Sequence, residues 1–474
     1  MLERLLENWW IVIELTFGQV AEALGGELKF CDPQTLVSGA VETDSRSLVP
    51  GGIFFAKLGK ELDGHDYLAE AFAKQAALSV VSRETTSQMP QIMVGDTVVA
   101  LRDLAEFVLQ KVRNLGELTV IGITGSNGKT STKNMLAAIL SGDAPTVYPR
   151  ESFNNEVGLP LTVLKLALDT KYLILELGAA GLSSIHKLAS WTRPDIGVQL
   201  KVGMAHVGEF GGIETTAIIK AEMMPFISKI AILNQDDPIV SGYRVEAGVA
   251  SRSFGTSALS DYRILDVDIS LQGTIVKFRY PDSEEVLVSL KILGEHQAMN
   301  MAAALAVADQ LGIERTRAVL ELEKLEMAER WRMQPIWTTS GALIINDAYN
   351  ASPDSMKAAL QTLAVIGRQG HRTIAVLGEM AELGPESRES HDAIGRLVVR
   401  YNIDMLFVVG EAAKLIHMGA MFEGSWDGES AYFDSISEAF EAISGKLAKG
   451  DVVLVKSSNL AGLRFLGDEL AAMA

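Results

Sequence analysis

Cysteine is almost absent from this chain, which contains one, Cys31, among 474 residues. A single cysteine excludes a disulfide within the chain and is typical of a reducing compartment, so we expect a cytoplasmic protein. No apolar run approaches the roughly 20 residues that a membrane-spanning helix needs. Residues 1–10 are acidic and contain two tryptophans, unlike a signal peptide, and fit either a short helical extension or an added start.

Basic residues are also scarce: 42 Lys and Arg stand against 60 Asp and Glu, and the net charge is −18. A broad nucleic-acid-binding surface must be basic, so this balance argues against that class of protein. An anionic small molecule remains possible, because a local basic pocket can lie on an acidic surface. With 48% hydrophobic residues at this length, we expect about three globular domains.

Short apolar runs alternate with amphipathic stretches, which predicts an α/β fold with parallel sheets. Residues 1–97 predict a small α/β domain, and residues 98–335 a central parallel-sheet domain. Within the latter, residues 262–293 alternate in the manner of an added antiparallel hairpin. Residues 336–474 predict a Rossmann-like domain that lacks the Gly-x-Gly-x-x-Gly fingerprint of dinucleotide binding.

The most informative segment is a glycine-rich turn between a predicted strand and a predicted helix. Such a turn directs backbone N–H groups at one point, where the helix N-terminus adds positive charge. Lys129 supplies a full charge, and the hydroxyl of Thr130 can hold magnesium. The pattern predicts an ATP or GTP site that includes Gly125, Ser126, Asn127 and Gly128. Strict phosphate-loop spacing would require glycine where Ile123 stands, so a flexible turn before an ordinary helix is the alternative.

Three further polar residues fit metal or phosphate chemistry. Glu176 ends a predicted strand, where ligands of open α/β sheets bind, although a solvated carboxylate would also suit that position. His206 lies in a glycine-flanked loop and could serve a metal, phosphate or only the surface. Lys220 has apolar neighbours that favour a neutral amine, which can react with carbon dioxide; a lysine on a helix surface is the alternative.

Three short segments could contact a polar substrate. The amides of Asn154 and Asn155 can orient a ligand or simply form a turn. Ser45 and Arg46 could bind an anion. A third segment follows a predicted strand and opens a helix, so it either contacts a ligand or caps that helix; it contains Asp347, Tyr349 and Asn350.

Taken together and in order, these segments resemble the Mur ligases of bacterial cell-wall synthesis. The resemblance runs from about Phe17 to about Lys456. Its motifs are Asp44–Arg46, Asp63–Asp66, Thr124–Thr130, Ser152–Pro160, Glu176–Gly178, Arg193–Asp195, His206, Lys220, Asn234, Gly294–Asn300, Arg332–Met333, Asp347–Pro353, Gly378–Gly384 and Val455–Lys456.

The resemblance implies an ATP-dependent amide ligase that adds D-alanyl-D-alanine to UDP-N-acetylmuramoyl-tripeptide through an acyl phosphate, acting as a monomer. The first domain would bind the UDP part, the central domain ATP and Mg2+, and the third the dipeptide. The implied roles are UDP binding for Ser45 and Arg46; phosphate binding for Lys129; magnesium binding for Thr130 and Glu176, and for His206 with a carbamate on Lys220; precursor contact for Asn154 and Asn155; adenine contact for Asn300; ribose or phosphate contact for Arg332 and Asp347; and substrate contact for Tyr349 and Asn350.

The sequence departs from the family pattern at three places. Asn346 stands where an aspartate is usual, Lys456-Ser-Ser-Asn459 where Lys-Gly-Ser-Arg is usual, and Trp331 where a glycine is usual. An Asp-Asn-Pro-Arg signature of the related enzyme that adds the third peptide residue is absent, which favours the dipeptide-adding activity. The alternatives are another amide ligase of the superfamily, such as a folylpolyglutamate or cyanophycin synthetase, and a phosphate-loop ATPase without ligase activity.

Overall fold

The computed structural model describes residues 14–37, 39–59, 62–150, 152–205, 207–326, 329–424 and 429–473. The N-terminal residues 1–13 and the predicted site residue His206 lie outside these ranges. Two compact units make up the chain: one comprises Met1–Gly122, Asp143–Gly178 and His186–Ile196, and the other Ile123–Gly142, Ala179–Ile185 and Gly197–Ala474. Within the described ranges, the strands form three larger β-sheets and one two-stranded sheet.

The N-terminal region forms a five-stranded sheet in the order β2-β7-β6-β5-β4, in which only the β2–β7 pair is antiparallel. Strands β1 and β3 pair separately. The elements are β1 Leu15–Thr16, α1 Phe17–Leu24, β2 Glu27–Lys29, β3 Leu36–Val37, β4 Val41–Glu42, β5 Ile53–Phe55, α2 Leu68–Ala73, β6 Leu78–Val81 and β7 Gln91–Met93.

The central region contains a nine-stranded sheet in the order β16-β15-β14-β13-β12-β11-β8-β10-β9. Its elements are α3 Thr97–Leu115, β8 Thr119–Thr124, α4 Lys129–Asp143, β9 Thr146–Val147, α5 Gly158–Val163, β10 Tyr172–Glu176, α6 Ser184–Thr192, β11 Ile196–Gln199, α7 Val207–Phe210, α8 Ile213–Ala221, β12 Ile230–Asn234, β13 Ala250–Gly255, β14 Tyr262–Ser270, β15 Gly273–Arg279, β16 Glu285–Leu290, α9 Glu295–Gln310 and α10 Arg315–Lys324.

The predicted antiparallel hairpin is present and has a third strand. Strands β14, β15 and β16 pair antiparallel in succession, and β14 also pairs in parallel with β13. Alternating residues of β15 are buried and exposed, because successive side chains of a strand face opposite sides of the sheet. The hairpin therefore extends the parallel sheet.

The C-terminal region forms a six-stranded sheet in the order β17-β18-β22-β19-β20-β21, with the β17–β18 pair antiparallel and the others parallel. This matches the expected Rossmann-like pattern. The elements are β17 Gln334–Trp337, β18 Leu343–Asn346, α11 Pro353–Gly367, β19 Thr373–Leu377, α12 Ser387–Arg400, β20 Met405–Val409, α13 Lys414–Glu423, β21 Ser430–Phe433, α14 Ile436–Ser444, β22 Val452–Lys456 and α15 Leu463–Ala471.

Helices cover both faces of this six-stranded sheet. Leu343 and Ile345 of β18 join one apolar cluster with α11 and α12. Ile344, between them, joins the opposite cluster with α14 and α15. A parallel sheet buried on both faces needs such apolar strands, which is why the sequence predicted these strands well. The α/β fold class is confirmed. Among the described residues, none of the helices has both the length and the apolar character to cross a bilayer.

Candidate functional site

A glycine-rich loop joins the end of β8 to the first residue of α4. Gly125 has φ 152° and Gly128 has φ 86°, and side chains other than hydrogen are rarely tolerated in such conformations. Space is also restricted: a Cβ atom on Gly128 would lie 2.4 Å from Asn300 Oδ1. The predicted turn therefore depends on glycine both for its backbone and for the close approach of α9.

The side chains of the loop brace it against its neighbours. Ser126 Oγ accepts a hydrogen bond from Gly203 N at 2.9 Å, and Ser126 N donates to Lys201 O at 2.7 Å. Ser352 Oγ donates to Asn127 Oδ1 at 3.4 Å, which links the loop to the start of α11. Asn127 Nδ2 is buried and has no hydrogen-bond partner among the described residues. These hydrogen bonds within the protein fix the conformation of the loop.

Lys129 and Thr130 begin α4 at the end of this loop. Lys129 Nζ donates to Gly125 O at 2.7 Å, so its charge lies over the loop. The hydroxyl-bearing Thr130 is 4% exposed. The ammonium group and the N-terminus of a fifteen-residue helix both favour an anion at this position. The arrangement is that of a phosphate-binding site.

Asn300 of α9 packs against the same loop. Its Nδ2 donates to Gln297 Oε1 at 2.9 Å, and its Oδ1 accepts from Thr132 Oγ1 at 3.3 Å. The side chain is 6% exposed. Asn300 therefore connects α9 to the first turn of α4, and contact with adenine stays a prediction.

A buried ion pair lies at the end of β18. Lys456 is 2% exposed, and its Nζ is 2.6 Å from Asp347 Oδ2 and 2.9 Å from Asn350 O. Asp347 Oδ1 accepts a hydrogen bond from Met333 N at 3.0 Å. The Arg332 guanidinium lies 4.4 Å from the ring centroid of Tyr349, a cation–π contact. Arg332, Asp347, Tyr349 and Asn350, all predicted from the sequence, thus form one local cluster.

His296 lies near this ion pair at the start of α9. Burial lowers the pKa of its ring to about 4, an effect that outweighs the opposing influence of Asp347, while Lys456 lowers it further. The ring is therefore neutral at physiological pH. Its Nδ1 is buried without a hydrogen-bond partner among the described residues.

Glu176 and Asn154 form a separate pair in the other unit. Glu176 ends β10, is 1% exposed, and accepts a hydrogen bond from Asn154 Nδ2 at 2.9 Å. Asn155 Oδ1 accepts from Val157 N and Gly158 N at 3.1 and 2.9 Å, and so caps the start of α5. Asn154 orients a buried carboxylate, whereas the side chain of Asn155 is engaged in local structure.

Ser45 and Arg46 lie in a short 3₁₀ helix of the N-terminal region. Ser45 is 5% exposed and its Oγ donates to Glu70 Oε2 at 2.9 Å. Arg46 is 81% exposed at its side chain and forms an ion pair of 2.8 Å with Asp44. Hydrogen bonding from the Arg46 side chain lowers the pKa of the Asp44 carboxyl. The exposed guanidinium is accessible to an anionic ligand.

Lys220 is 2% exposed in α8, as its apolar sequence neighbours suggested. The loop that precedes His206 is fixed by two carboxylates that sequence reasoning missed. Val202 N donates to Asp237 Oδ2 at 3.0 Å, and Met204 N to Asp354 Oδ2 at 2.9 Å. No group of three or more His, Cys, Asp or Glu side chains placed to hold a metal occurs within the described part of the chain.

The loop, its lysine and the helix that follows define a phosphate-loop nucleotide-binding protein of the α/β class. The sequence matches the family model of the Mur ligase middle domain over residues 123–308, and that of the Mur ligase, glutamate ligase domain over residues 331–459. The chain belongs to the Mur ligase family.

Individual relatives align with nearly the whole chain. UDP-N-acetylmuramoyl-tripeptide–D-alanyl-D-alanine ligase of Mycobacterium tuberculosis (strain ATCC 25618 / H37Rv) is 38% identical over 506 residues, covering 97% of this chain and 98% of the relative. MurF from Acinetobacter baumannii has a TM-score of 0.86 at 30% identity, covering 97% of this chain and 99% of that chain. MurF ligase from Thermotoga maritima, solved in complex with ADP, has a TM-score of 0.78 at 28% identity, covering 91% and 97% respectively.

Proposed function

We propose that this protein joins D-alanyl-D-alanine to UDP-N-acetylmuramoyl-tripeptide in peptidoglycan precursor synthesis, using ATP and releasing ADP and phosphate. Membership of the Mur ligase family makes it an ATP-dependent ligase. The observation that carries the proposal is the braced phosphate loop Gly125–Gly128 with Lys129, in a chain that aligns over 97% of its length with a relative named for this reaction.

The reaction first requires an activated carboxyl group. A carboxylate oxygen of the tripeptide attacks the γ-phosphorus of ATP, the bond to ADP breaks, and an acyl phosphate forms. Lys129 neutralises charge on the transferring phosphoryl group, because phosphoryl transfer depends mainly on placement and charge stabilisation. The amine of the dipeptide then attacks the acyl carbon, loses a proton, and expels phosphate. Acyl phosphates hydrolyse, so water must be excluded from the site during this interval.

The donor types fit Mg2+, which prefers oxygen ligands and is commonly held by one or two carboxylates together with substrate phosphates. Thr130 offers a buried hydroxyl and Glu176 a buried carboxylate. We assign both as magnesium ligands, and His206 with a carbamate on Lys220 as ligands of a second ion. Bound magnesium would neutralise phosphate charge during transfer. A neutral Lys220 amine can add to carbon dioxide and release one proton, which leaves two carbamate oxygens.

The remaining assignments complete the proposal. Residues 1–97 would bind the UDP part, with Ser45 and Arg46 among the contacts, and residues 98–335 would bind ATP. Residues 336–474 would receive the dipeptide. Further contacts in the proposal are Asn154 and Asn155 for the precursor, Asn300 for adenine, Arg332 and Asp347 for ribose or phosphate, and Tyr349 and Asn350 for substrate. We also propose a cytoplasmic monomer.

The test is phosphate release by the purified protein with ATP and magnesium, adding the UDP-tripeptide and D-alanyl-D-alanine singly and together. Ligation predicts release only when both co-substrates are present, with Lys129→Ala inactive but folded by circular dichroism. Release with neither co-substrate would identify an ATPase instead. If phosphate is released when the UDP-tripeptide is combined with a different amino component but not with D-alanyl-D-alanine, the protein is another ligase of the superfamily.

A further inference from the structure

Asp468 lies on helix α15 and forms hydrogen bonds with three side chains from two other segments. Its carboxylate accepts hydrogen bonds from Trp331 Nε1 at 3.0 and 3.1 Å, from Arg330 Nη2 at 2.9 Å, and from Asn346 Nδ2 at 3.0 Å. A carboxylate that accepts several N–H bonds is a strong fixed anchor, because charge-assisted hydrogen bonds are stronger than neutral ones.

Two of these donors directly precede residues of the proposed nucleotide site. Trp331 is followed by Arg332, which stacks on Tyr349, and Asn346 is followed by Asp347, which pairs with Lys456. One carboxylate therefore restrains both backbone segments that carry the charged groups of this cluster.

The side chain of Asn346 is enclosed by α15 and hydrogen-bonded to it. It is 0% exposed, and its Nδ2 also donates to Arg464 O at 2.9 Å. The amide lies directly against Gly467, where an added Cβ would be 2.4 Å from Asn346 Nδ2. Because this nitrogen faces a carboxylate and a carbonyl, an oxygen in its place would meet two acceptors and no donor.

Trp331 adopts φ 57°, which is rare for a bulky side chain. Its ring lies 4.4 Å from the Arg330 guanidinium and 5.4 Å from that of Arg464, and it meets Phe465 edge-on at a centroid distance of 6.3 Å. A strained backbone persists only where its surroundings fix it. Here those surroundings are α15 and the hydrogen bond to Asp468.

We propose that Asp468 is a positioning residue for nucleotide binding. It holds Asn346 and Trp331 so that Asp347 and Arg332 keep their places at the nucleotide. This inference rests on the proposed ATP-dependent function. In this proposal the Asp468 carboxylate acts through Trp331 and Asn346, to which it is hydrogen-bonded.

The test compares Asn346→Asp, Asp468→Asn and the double variant, with Glu469→Gln as the matched control. Glu469 is the exposed neighbour on the same helix, so the control removes the same charge without removing these contacts. The readouts are the Kd for ADP by calorimetry, KM for ATP and for the dipeptide, and the pH profile of kcat/KM. Circular dichroism reports folding.

Asn346→Asp should weaken ADP binding and raise KM for ATP by about 10-fold, the equivalent of one charge-assisted hydrogen bond. The KM for the dipeptide should change much less. The activity of the Asn346→Asp variant should recover on acidification, because the new carboxylate and that of Asp468 share a proton more readily at low pH. Asp468→Asn should weaken ADP binding several-fold, and the double variant should bind ADP more tightly than Asn346→Asp.

Equal ADP affinity in the wild type and all three variants would overturn the inference while leaving the proposed function intact. A double variant no better than Asn346→Asp, or an unchanged pH profile in that single variant, would also overturn it. Absence of ADP and ATP binding by the folded wild type would overturn both the inference and the proposed function.

Discussion

Replacement of Gly128 by alanine should impair nucleotide binding through a single methyl group. The new Cβ would lie 2.4 Å from Asn300 Oδ1, well inside the ordinary contact distance of 3.4 Å. Asn300 can retreat only by giving up its hydrogen bonds to Gln297 and Thr132, at about 1 kcal/mol each. Because Asn300 packs on the loop that binds phosphate, we expect this loss to distort the loop. A total of about 2 kcal/mol corresponds to a roughly 30-fold weaker Kd for ATP.

The backbone contributes separately, since alanine at φ 86° costs about 1–2 kcal/mol. Gly248→Ala isolates that cost: Gly248 has φ 90°, and an added Cβ there meets nothing within 4 Å. Gly128→Ala should therefore lose more stability in urea unfolding than Gly248→Ala, because it also loses the hydrogen bonds of Asn300. Only Gly128→Ala should lose ATP affinity in calorimetry. Wild-type ATP affinity in folded Gly128→Ala would refute the close packing of Asn300 on the phosphate loop.

Two further predictions concern buried titratable groups. Lys220→Ala should lower kcat by about 100-fold, since metal-ion stabilisation contributes several kcal/mol. Acetate should restore part of the activity of Lys220→Ala but have no effect on the control variant Lys357→Ala, whose site is exposed. Full activity of Lys220→Ala without acetate would contradict the carbamate role. Burial lowers the pKa of the His296 ring to about 4, so between pH 6.5 and pH 4 only the unfolded state binds a proton at this ring. The wild type should therefore lose about 3 kcal/mol of unfolding free energy as the pH falls through this window. This free energy is fully present above pH 6.5. Urea unfolding of wild type and His296→Gln at pH 7.5 and pH 4.5 measures this, and an identical pH dependence would show that the ring is not buried in its neutral form.

Much of the fold could be predicted because its signals are local. The strands Ile230–Asn234, Thr373–Leu377 and Met405–Val409 coincide with continuous apolar runs, as expected for strands buried on both faces. The phosphate loop was equally readable, because glycine spacing and the following lysine lie within a few residues. Strands of two residues, such as β9, carry no periodic signal and were not predicted.

The partners of the site residues could not be predicted, because they lie far apart in sequence. Lys456 is paired with Asp347, and Asp354 holds the backbone of Met204. No local pattern records such contacts. The sequence motif includes Val455 and Lys456, but only the fold shows that Lys456 is the counter-ion of Asp347.

The departures from the family pattern also make contacts that the sequence alone could not predict. Trp331 and Asn346 are separate departures from the family pattern in the sequence, yet in the fold both donate hydrogen bonds to Asp468. The positive φ of Trp331 agrees with the glycine that is usual at this position. Conversely, the side chain of Asn155 caps a helix, and its predicted contact with the precursor stays a prediction.

The most direct test of the account follows oxygen atoms from the acid to the phosphate. The UDP-tripeptide would be labelled with ¹⁸O in both oxygens of its reacting carboxylate and incubated with ATP, magnesium and D-alanyl-D-alanine. Activation through an acyl phosphate predicts that each released phosphate carries one labelled oxygen, while the new amide keeps the other. Phosphate without label, accompanied by amide formation, would contradict phosphoryl transfer to the carboxylate and with it the central claim.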